Sequence, residues 1–372
     1  MPLSAHTYDD TVVIPSLFSQ LDMLGVDAEV MSKPGVFFSA PAIDLESYDA
    51  IVVCMSGGKD SIASLLRLIE LGADRRKIEL WHHAIEGADG KEGSPLMDWA
   101  FMHDYNRQLA AAFDLPMYFS WLEGGFRGEL LKENAYSRPH KVETPGGLIT
   151  LERDTRRSKP GTRLRFPQLS ASLQTRWCSS VLKIDVGRRA LNNQARFDGQ
   201  RVLFVTGERR QESSNRARYN QLEPHACDRR RGRKARHVDA WRPVLHWSEE
   251  EVWDILRRHG VIAPVPYRLG WSRSSCMTCI YNSPTIWATI AHYFPERARQ
   301  IAGYEDRFGT TISRDRINVI DLGARARPLE IEDDAALAQA FRETYTLPIF
   351  TPEGTQWVMP AGAFAKEGCG SV

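Results

Sequence analysis

The chain has 372 residues, of which 42% are hydrophobic and 26% charged, as in an ordinary globular protein with ample material for a core. The formal net charge of +1 excludes a polycation. No apolar run is long enough to cross a bilayer, and the N-terminal segment MPLSAHTYDDTVV carries acids where a signal peptide needs basic residues. We therefore expect a cytoplasmic protein without a membrane partner, built from one large domain or from two or three smaller ones.

Strands and helices are expected to alternate from residue 49 onward. Asp49–Met55 is a continuous apolar, β-branched run, which is typical of a strand buried on both faces, and Ser61–Leu71 has helical periodicity and ends at Gly72. Further strands are predicted at 78–83, 116–121 and 201–206, and further helices at 97–113 and 248–259, the last with a capping box from Ser248 to Glu251. This alternation predicts an α/β fold with a parallel, Rossmann-like sheet and right-handed crossovers.

The chain is expected to divide into three parts. Residues 1–48 form an N-terminal extension with a helix near 15–26, and residues 49–265 form the α/β domain. Residues 123–175 are polar and basic and interrupt the alternation, so we interpret them as an insertion over the carboxyl edge of the sheet. Residues 266–372 are expected to be a region of helices and loops.

The strongest signal is the loop SGGKDS at Ser56–Ser61, between the first strand and the first helix. Two glycines let the backbone turn sharply and approach an anion, and the following helix points its free N–H groups at that anion. A lysine adds a positive charge, two serines add hydroxyl donors, and an aspartate beside phosphate implies a bridging Mg²⁺. The alternative is a structural glycine-rich turn. The nucleotide-binding candidates are Ser56, Gly57, Gly58, Lys59, Asp60 and Ser61.

This loop resembles that of the PP-loop ATP pyrophosphatases, which cleave ATP between its α and β phosphates. Three later segments resemble the phosphoadenosine phosphosulfate reductase-like branch: Arg176–Lys183 (RWCSSVLK), Gly207–Ser213 (GERRQES) with Arg216, and Trp241–Val244 (WRPV). The resemblance covers roughly residues 50–312 and implies the adenine nucleotide alpha hydrolase fold.

The resemblance also implies roles for individual residues. Lys59 and a Mg²⁺ ion bound by Asp60 would stabilise the departing pyrophosphate, and Arg209 would make a further phosphate or transition-state contact. The remaining nucleotide-binding candidates from the later segments are Arg176, Lys183, Glu212 and Arg216.

The cysteines suggest metal or thiol chemistry rather than disulfides. Cys276 and Cys279 form a Cys-x-x-Cys pair, and the resemblance implies that Cys178 joins them to hold a [4Fe–4S] cluster. Related reductases have two adjacent cysteines where this chain has Cys178-Ser179. The fourth ligand is therefore open: Cys227, an open iron site, a zinc site that uses Cys227 or His225, and no metal at all are the alternatives.

Two further cysteines are given simpler roles. Cys54 lies in the first predicted strand and is expected to be a small buried hydrophobe. Cys369 lies in a terminal Lys-Glu-Gly-Cys-Gly segment, which is either an idle thiol or a counterpart of the mobile nucleophilic cysteine of sulfonucleotide reductases.

Two basic runs, Arg153–Arg165 and Arg229–Arg236, are either solvated loops or a track for a polyanion. We expect both runs to border the nucleotide cleft and to guide a nucleic-acid backbone to it. The leading hypothesis is an ATP pyrophosphatase that activates a nucleic-acid acceptor for sulfur transfer, similar to the ATPase subunits of DNA phosphorothioation systems, with a sulfur donor such as a cysteine desulfurase. The alternatives are a sulfonucleotide reductase and a non-catalytic nucleotide- or nucleic-acid-binding module.

Overall fold

The computed structural model describes residues 34–87, 95–170, 172–230, 235–274 and 276–365. The helix expected near 15–26 and the segment that carries Cys369 lie outside these residues. In the described part of the chain, no helix is long and apolar enough to cross a membrane.

An eight-stranded sheet forms the centre of the fold, in the order β5-β4-β3-β2-β1-β6-β8-β7. Its five inner strands run parallel, and β4, β5 and β7 run antiparallel at the two edges. The strands are β1 (Ala50–Cys54), β2 (Ile78–His83), β3 (Met117–Leu122), β4 (His140–Thr144), β5 (Gly147–Leu151), β6 (Arg201–Val205), β7 (Leu222–Pro224) and β8 (His237–Trp241).

Ten helices accompany the sheet in the described residues. They are α1 (Lys59–Glu70), α2 (Met102–Ala112), α3 (Gly125–Leu130), α4 (Trp177–Ser179, Ser180–Ile184 and Asp185–Asn192), α5 (Glu249–Arg258), α6 (Val265–Arg268), α7 (Pro284–Tyr293), α8 (Pro295–Phe308), α9 (Val319–Gly323) and α10 (Asp334–Ala340). The middle segment of α4, Ser180–Ile184, is π-helical. Such π-turns are often found at functional sites.

The two faces of the sheet bury separate apolar cores because successive side chains of a strand point to opposite faces. On one face Ile51 and Val53 pack with Ile62 of α1 in the larger core, which extends to the C-terminal helices. On the other face Val52 packs in a smaller core with Leu191 of α4. The outcome is the layered α/β arrangement expected from the alternation of elements.

Most predicted elements are confirmed, but the region 123–175 differs from expectation. The predicted strand at 78–83 and the capping box of α5 are present as expected, whereas α2 begins at Met102, later than the predicted residue 97. Residues 140–151 do not lie over the carboxyl edge. They form the hairpin β4–β5, which extends the sheet sideways by antiparallel pairing with β3. Unpaired backbone groups at the edge of β3 favour this addition.

Candidate functional site

The candidate site lies where the strand order reverses. From β1 the chain proceeds through β2 and β3 on one side and through β6 and β8 on the other, so a crevice opens at the carboxyl ends of β1 and β6. Open α/β sheets bind their ligands at such a point. The loop Ser56–Gly58 directly follows β1 and leads into α1 at this crevice.

The loop has little space for side chains. Gly57 has a φ of +76°, and a Cβ atom at this position would lie 2.8 Å from the Met102 sulfur. Gly58 is the N-cap residue of α1. The Ser61 hydroxyl donates to the Gly58 carbonyl at 2.8 Å and lies 3.1 Å from the Ser56 hydroxyl. The two serines therefore fix the turn in a compact shape, as expected for a loop that approaches an anion through its backbone.

Lys59 is buried among aromatic and acidic groups. Its ammonium lies 3.0 Å from an oxygen of Asp60, 3.9 Å from an oxygen of Glu249, and within 6.0 Å of the centres of the Trp253 and Tyr267 rings. Burial lowers the pKa of Lys59, but the Asp60 carboxylate offsets this and the pKa is raised. The lysine is therefore a permanent positive charge at the start of α1.

Asp60 links the loop to the segment after β6. Arg209 Nε donates to the second Asp60 oxygen at 2.5 Å, and the Arg209 backbone N–H donates to Glu212 at 2.8 Å. Glu212 in turn pairs with Arg216 at 2.7 Å. Burial raises the pKa of Asp60, but Lys59 and Arg209 lower it further than burial raises it, so the carboxylate is ionised. The structure thus joins five of the predicted site residues in one network of ion pairs and hydrogen bonds.

A cleft with two lobes opens beside the loop. The first lobe, of about 270 Å³, lies against Ser56, and the second lobe, of about 230 Å³, lies toward β6 and β8. The residues that line both lobes are Cys54, His83, Lys183, Thr206 and Glu208. Lys183 is the predicted site residue in this group. Cys54, expected to be a core hydrophobe, packs against the smaller core but also faces the cleft, because it is the last residue of β1.

Sequence reasoning missed three residues of the cleft wall: His83, Thr206 and Glu208. His83 ends β2, and Thr206 directly follows β6. Their position at the carboxyl ends of predicted parallel strands was the available signal. Burial lowers the pKa of His83 to about 4, so its ring is neutral near pH 7, and its Nδ1 lies 2.8 Å from the Ser120 hydroxyl.

Cys178, Cys276 and Cys279 form a neighbourhood of thiols. Burial raises the pKa of the Cys178 thiol, and the proximity of Cys279 raises it further. Burial also raises the pKa of Cys276, with contributions from Asp98, Cys279 and Cys178. Among the residues that the structure describes, however, no three His, Cys, Asp or Glu side chains are spaced as ligands of one metal ion. The sequence therefore identified residues that are neighbours without a formed metal centre.

Cys227 does not join this neighbourhood. Its thiol is buried in the smaller core, where Asn192 donates to it at 3.3 Å and where it lies 3.8 Å from the Arg188 carbonyl oxygen. His225 instead packs against Phe204, with ring centres 4.6 Å apart and the planes tilted by 36°, and it lines the second lobe. Cys227 therefore packs in a different core from Cys178, Cys276 and Cys279, and its role as a fourth ligand stays a prediction.

Arg176 contacts the segment that carries Cys276 and Cys279, not the loop Ser56–Ser61. Its guanidinium donates to the Tyr281 hydroxyl at 2.6 Å, two residues beyond Cys279, and so ties the start of α4 to the Cys-x-x-Cys segment. Lys183 is exposed and reaches the cleft from the π-helical turn of α4. Close packing lowers the pKa of Lys183, but Cys276, Cys178 and Asp98 offset this and the pKa is raised.

The two basic runs lie at opposite edges of the sheet. The first run, Arg153–Arg165, begins just after Leu151, the last residue of β5. Leu151 pairs with His140 of β4, and His140 pairs with Leu122, the last residue of β3. This run therefore starts at the carboxyl edge, as expected. Arg163 of this run pairs with Glu129 at 2.7 Å.

Arg229–Arg236 contradicts the expectation. The described residues at its two ends, 229–230 and 235–236, precede β8, and the Gly199 N–H just before β6 donates to the Ala235 carbonyl, so both ends lie at the amino edge of the parallel strands, away from the cleft. Two of the described arginines also form ion pairs: Arg230 with Asp228 and Asp239, and Arg236 with Asp198. The prediction that both runs border the cleft is therefore wrong for the described ends of the second run, and its middle lies outside the described residues.

Together, the parallel sheet, the loop at its switch point and the cleft beside it define a Rossmann-like α/β protein of the PP-loop class. Residues 156–282 match the family described as the phosphoadenosine phosphosulfate reductase domain. The matched part includes the predicted segments around Cys178, Arg209, Trp241 and the Cys-x-x-Cys pair.

Similar proteins include an uncharacterized 37.8 kDa protein of Escherichia phage 186, which is 28% identical over 268 residues, covering 68% of this chain and 74% of that protein. Solved structures include Candida glabrata FMN adenylyltransferase with ATP (12% identity, TM-score 0.30, 63% of this chain, 54% of that one). The same enzyme with FMN and an ATP analogue has 11% identity, a TM-score of 0.32, and coverages of 64% and 57%. The chain thus spans little more than half the length of these adenylyltransferase chains.

Proposed function

We propose that the chain binds ATP at Ser56–Ser61 and cleaves it to AMP and pyrophosphate. The observation that carries the proposal is the ionic network of Lys59, Asp60 and Arg209 at the switch point of the sheet. Two fixed cations beside a glycine loop and a helix N-terminus suit a ligand with adjacent phosphates. The family match to a domain named for a sulfonucleotide substrate supports an activity on nucleotides.

The residues of the network have distinct tasks in this proposal. Lys59 and Arg209 face the Asp60 carboxylate, and incoming phosphate oxygens would compete with it for both cations. Asp60 supplies a carboxylate oxygen, the ligand type that Mg²⁺ prefers, and the bound ion would neutralise charge on the phosphates. Glu249 and Tyr267 contact the same Lys59 ammonium and help to hold it in place.

The decisive experiment measures pyrophosphate release from Mg·ATP by the parent protein and by two variants. Asp60→Asn removes the charge that balances both cations, so we expect loss of Mg²⁺-dependent turnover. Arg67→Gln, a partly exposed arginine of the same helix that pairs with Glu70, is the matched control and should retain turnover. Equal turnover in the parent and Asp60→Asn would contradict the assignment of the site.

We further propose that Cys178, Cys276 and Cys279 hold a [4Fe–4S] cluster. The three thiols are mutual electrostatic neighbours, and thiolates are the preferred ligands of such clusters. When bound, the cluster would supply redox or sulfur-handling chemistry next to Lys183. Iron and sulfide content of anaerobically purified protein, with its visible absorbance, tests this. Cys178→Ser should lose the iron, Cys54→Ser should keep it, and parent protein without iron would contradict the proposal.

The acceptor and the sulfur source complete the proposal. We propose a nucleic-acid acceptor guided by Arg153–Arg165, which starts at the carboxyl edge, and sulfur delivered by a donor such as a cysteine desulfurase. The second candidate function is sulfonucleotide reduction, which the description of the matched family favours. Pyrophosphate release from ATP supports the first function, and sulfite release from a sulfonucleotide supports the second. Nucleotide binding without either product would indicate a non-catalytic module.

A further inference from the structure

The second lobe of the cleft has a composition that the proposed ATP site does not use. Its wall contains the exposed cations Lys183 and Arg188, the pair Glu208–Arg242, and the packed rings of Phe204 and His225. It shares five wall residues with the first lobe, so a ligand in it lies next to a nucleotide on the loop.

The charge of the second lobe is unbalanced. Glu208 is neutralised by Arg242 at 2.8 Å, and Arg242 pairs also with Glu223 at 2.9 Å. Lys183 and Arg188 are exposed, and in the described ranges neither forms a salt bridge with a carboxylate, although Asp98, Cys276 and Cys178 lie near enough to Lys183 to act on it electrostatically. Two cations at the wall of one lobe favour an anionic ligand.

The wall also carries an aromatic surface. Phe204 is largely buried and packs against the His225 ring, which lines the lobe. Aromatic faces of this kind bind nucleobases by stacking.

The size of the lobe restricts the ligand. At about 230 Å³ it is smaller than a typical drug-sized pocket, so it admits one compact unit rather than a duplex. Gly187 and His83 meet at the wall of the lobe, because a Cβ at Gly187 would lie 2.7 Å from His83 Nε2. The other ring nitrogen of His83, Nδ1, bonds to the Ser120 hydroxyl, which fixes the ring.

We propose that the second lobe binds a single nucleotide unit as the acceptor, with its phosphate on Lys183 and Arg188 and its base against His225 and Phe204. This proposal rests on the proposed function, because it gives the ATP on the loop a neighbouring substrate. The unit comes either from a free mononucleotide or from an unstacked nucleotide of a single strand, which share this chemistry.

The experiment measures binding of a second ligand to the full chain saturated with Mg²⁺ and a non-hydrolysable ATP analogue. The probes are AMP, by calorimetry, and a short fluorescent single strand with its duplex, by anisotropy. Arg188→Ala and His225→Ala should each weaken binding by about tenfold, the effect of one lost charge-assisted or stacking contact. Arg325→Ala, an exposed arginine outside the cleft, is the control and should bind like the parent.

Each result decides the proposal. Binding of AMP that depends on Arg188 supports it with a free nucleotide as the source, and binding of the strand but not of AMP or the duplex supports it with a nucleic acid as the source. If the parent binds the analogue but neither probe, or if both variants bind like the parent, the proposal is wrong while the ATP site stands. If the analogue itself does not bind, the proposed function fails, and the same variants tested with AMP and the strand alone still decide the second lobe.

Discussion

Gly207 lies two residues after β6 and packs tightly against the backbone of Asp60 and Ser61, which gives a sharp test of the site. A Cβ at this position would lie 2.6 Å from the carbonyl oxygen of Asp60, 2.7 Å from its carbonyl carbon and 2.8 Å from the Ser61 nitrogen. All three are backbone atoms of the first turn of α1, so no side chain can rotate away. Gly207→Ala must therefore push α1 from β6, and overpacking of this kind costs ~1–3 kcal/mol of unfolding free energy.

The same displacement should weaken the ligand site. Arg209 lies two residues after Gly207 and bonds to Asp60, so a shift of several tenths of an ångström disturbs both cations. We expect the affinity for Mg²⁺ with the ATP analogue to fall by about tenfold. Urea unfolding followed by circular dichroism and calorimetric titration measure the two effects.

Gly303→Ala is the matched control. Gly303 lies in α8, is exposed, and has open space at its Cβ position, so alanine should stabilise the helix by about 0.5–1 kcal/mol without changing binding. The reasoning is refuted if Gly207→Ala unfolds at the same urea concentration as the parent and binds the analogue equally well.

Three further predictions concern stability. Arg236→Ala should cost ~3–5 kcal/mol in urea unfolding because a buried arginine leaves an aspartate and backbone carbonyls unpaired, whereas exposed Arg229→Ala should be nearly neutral. Glu305→Ala should cost ~2–4 kcal/mol, since it leaves two buried backbone N–H groups without acceptors, and an unchanged melting temperature would contradict this. Burial lowers the pKa of His82 and of His140 to about 3, below the unfolded value of 6.5. Unfolding therefore takes up protons between these values, and stability should fall as pH drops, by up to ~1.4 kcal/mol per pH unit for each histidine, while His140→Gln should reduce the slope.

The fold and the loop could be predicted because both depend on local patterns. The apolar run at Asp49–Met55 reports burial on both faces, and the glycines, lysine and aspartate that follow it belong to one contiguous segment. Arg209 and Glu212 were assigned to the site by the resemblance of their segment to the phosphoadenosine phosphosulfate reductase-like branch. In the structure Arg209 bonds to Asp60, next to the loop.

Tertiary structure alone decided which charges and thiols reach the cleft. The three-residue strand Leu222–Pro224 contains a proline and has no sequence signal of its own, yet it reverses the chain and brings Arg229 and Arg230 to the amino edge. Packing likewise places Cys227 in the smaller core beside α4 and not next to Cys178, Cys276 and Cys279.

The second lobe was likewise beyond the sequence. Its wall includes Lys183, which lies in the π-helical turn of α4, and Gly187, whose missing side chain lets that helix approach His83. Periodicity and motifs give the order of elements and the faces they bury, whereas the direction of a short strand and the approach of one helix depend on packing between residues far apart in the chain. For this protein the sequence therefore determined the loop and its sheet, and tertiary packing determined which charged residues and cysteines lie beside them.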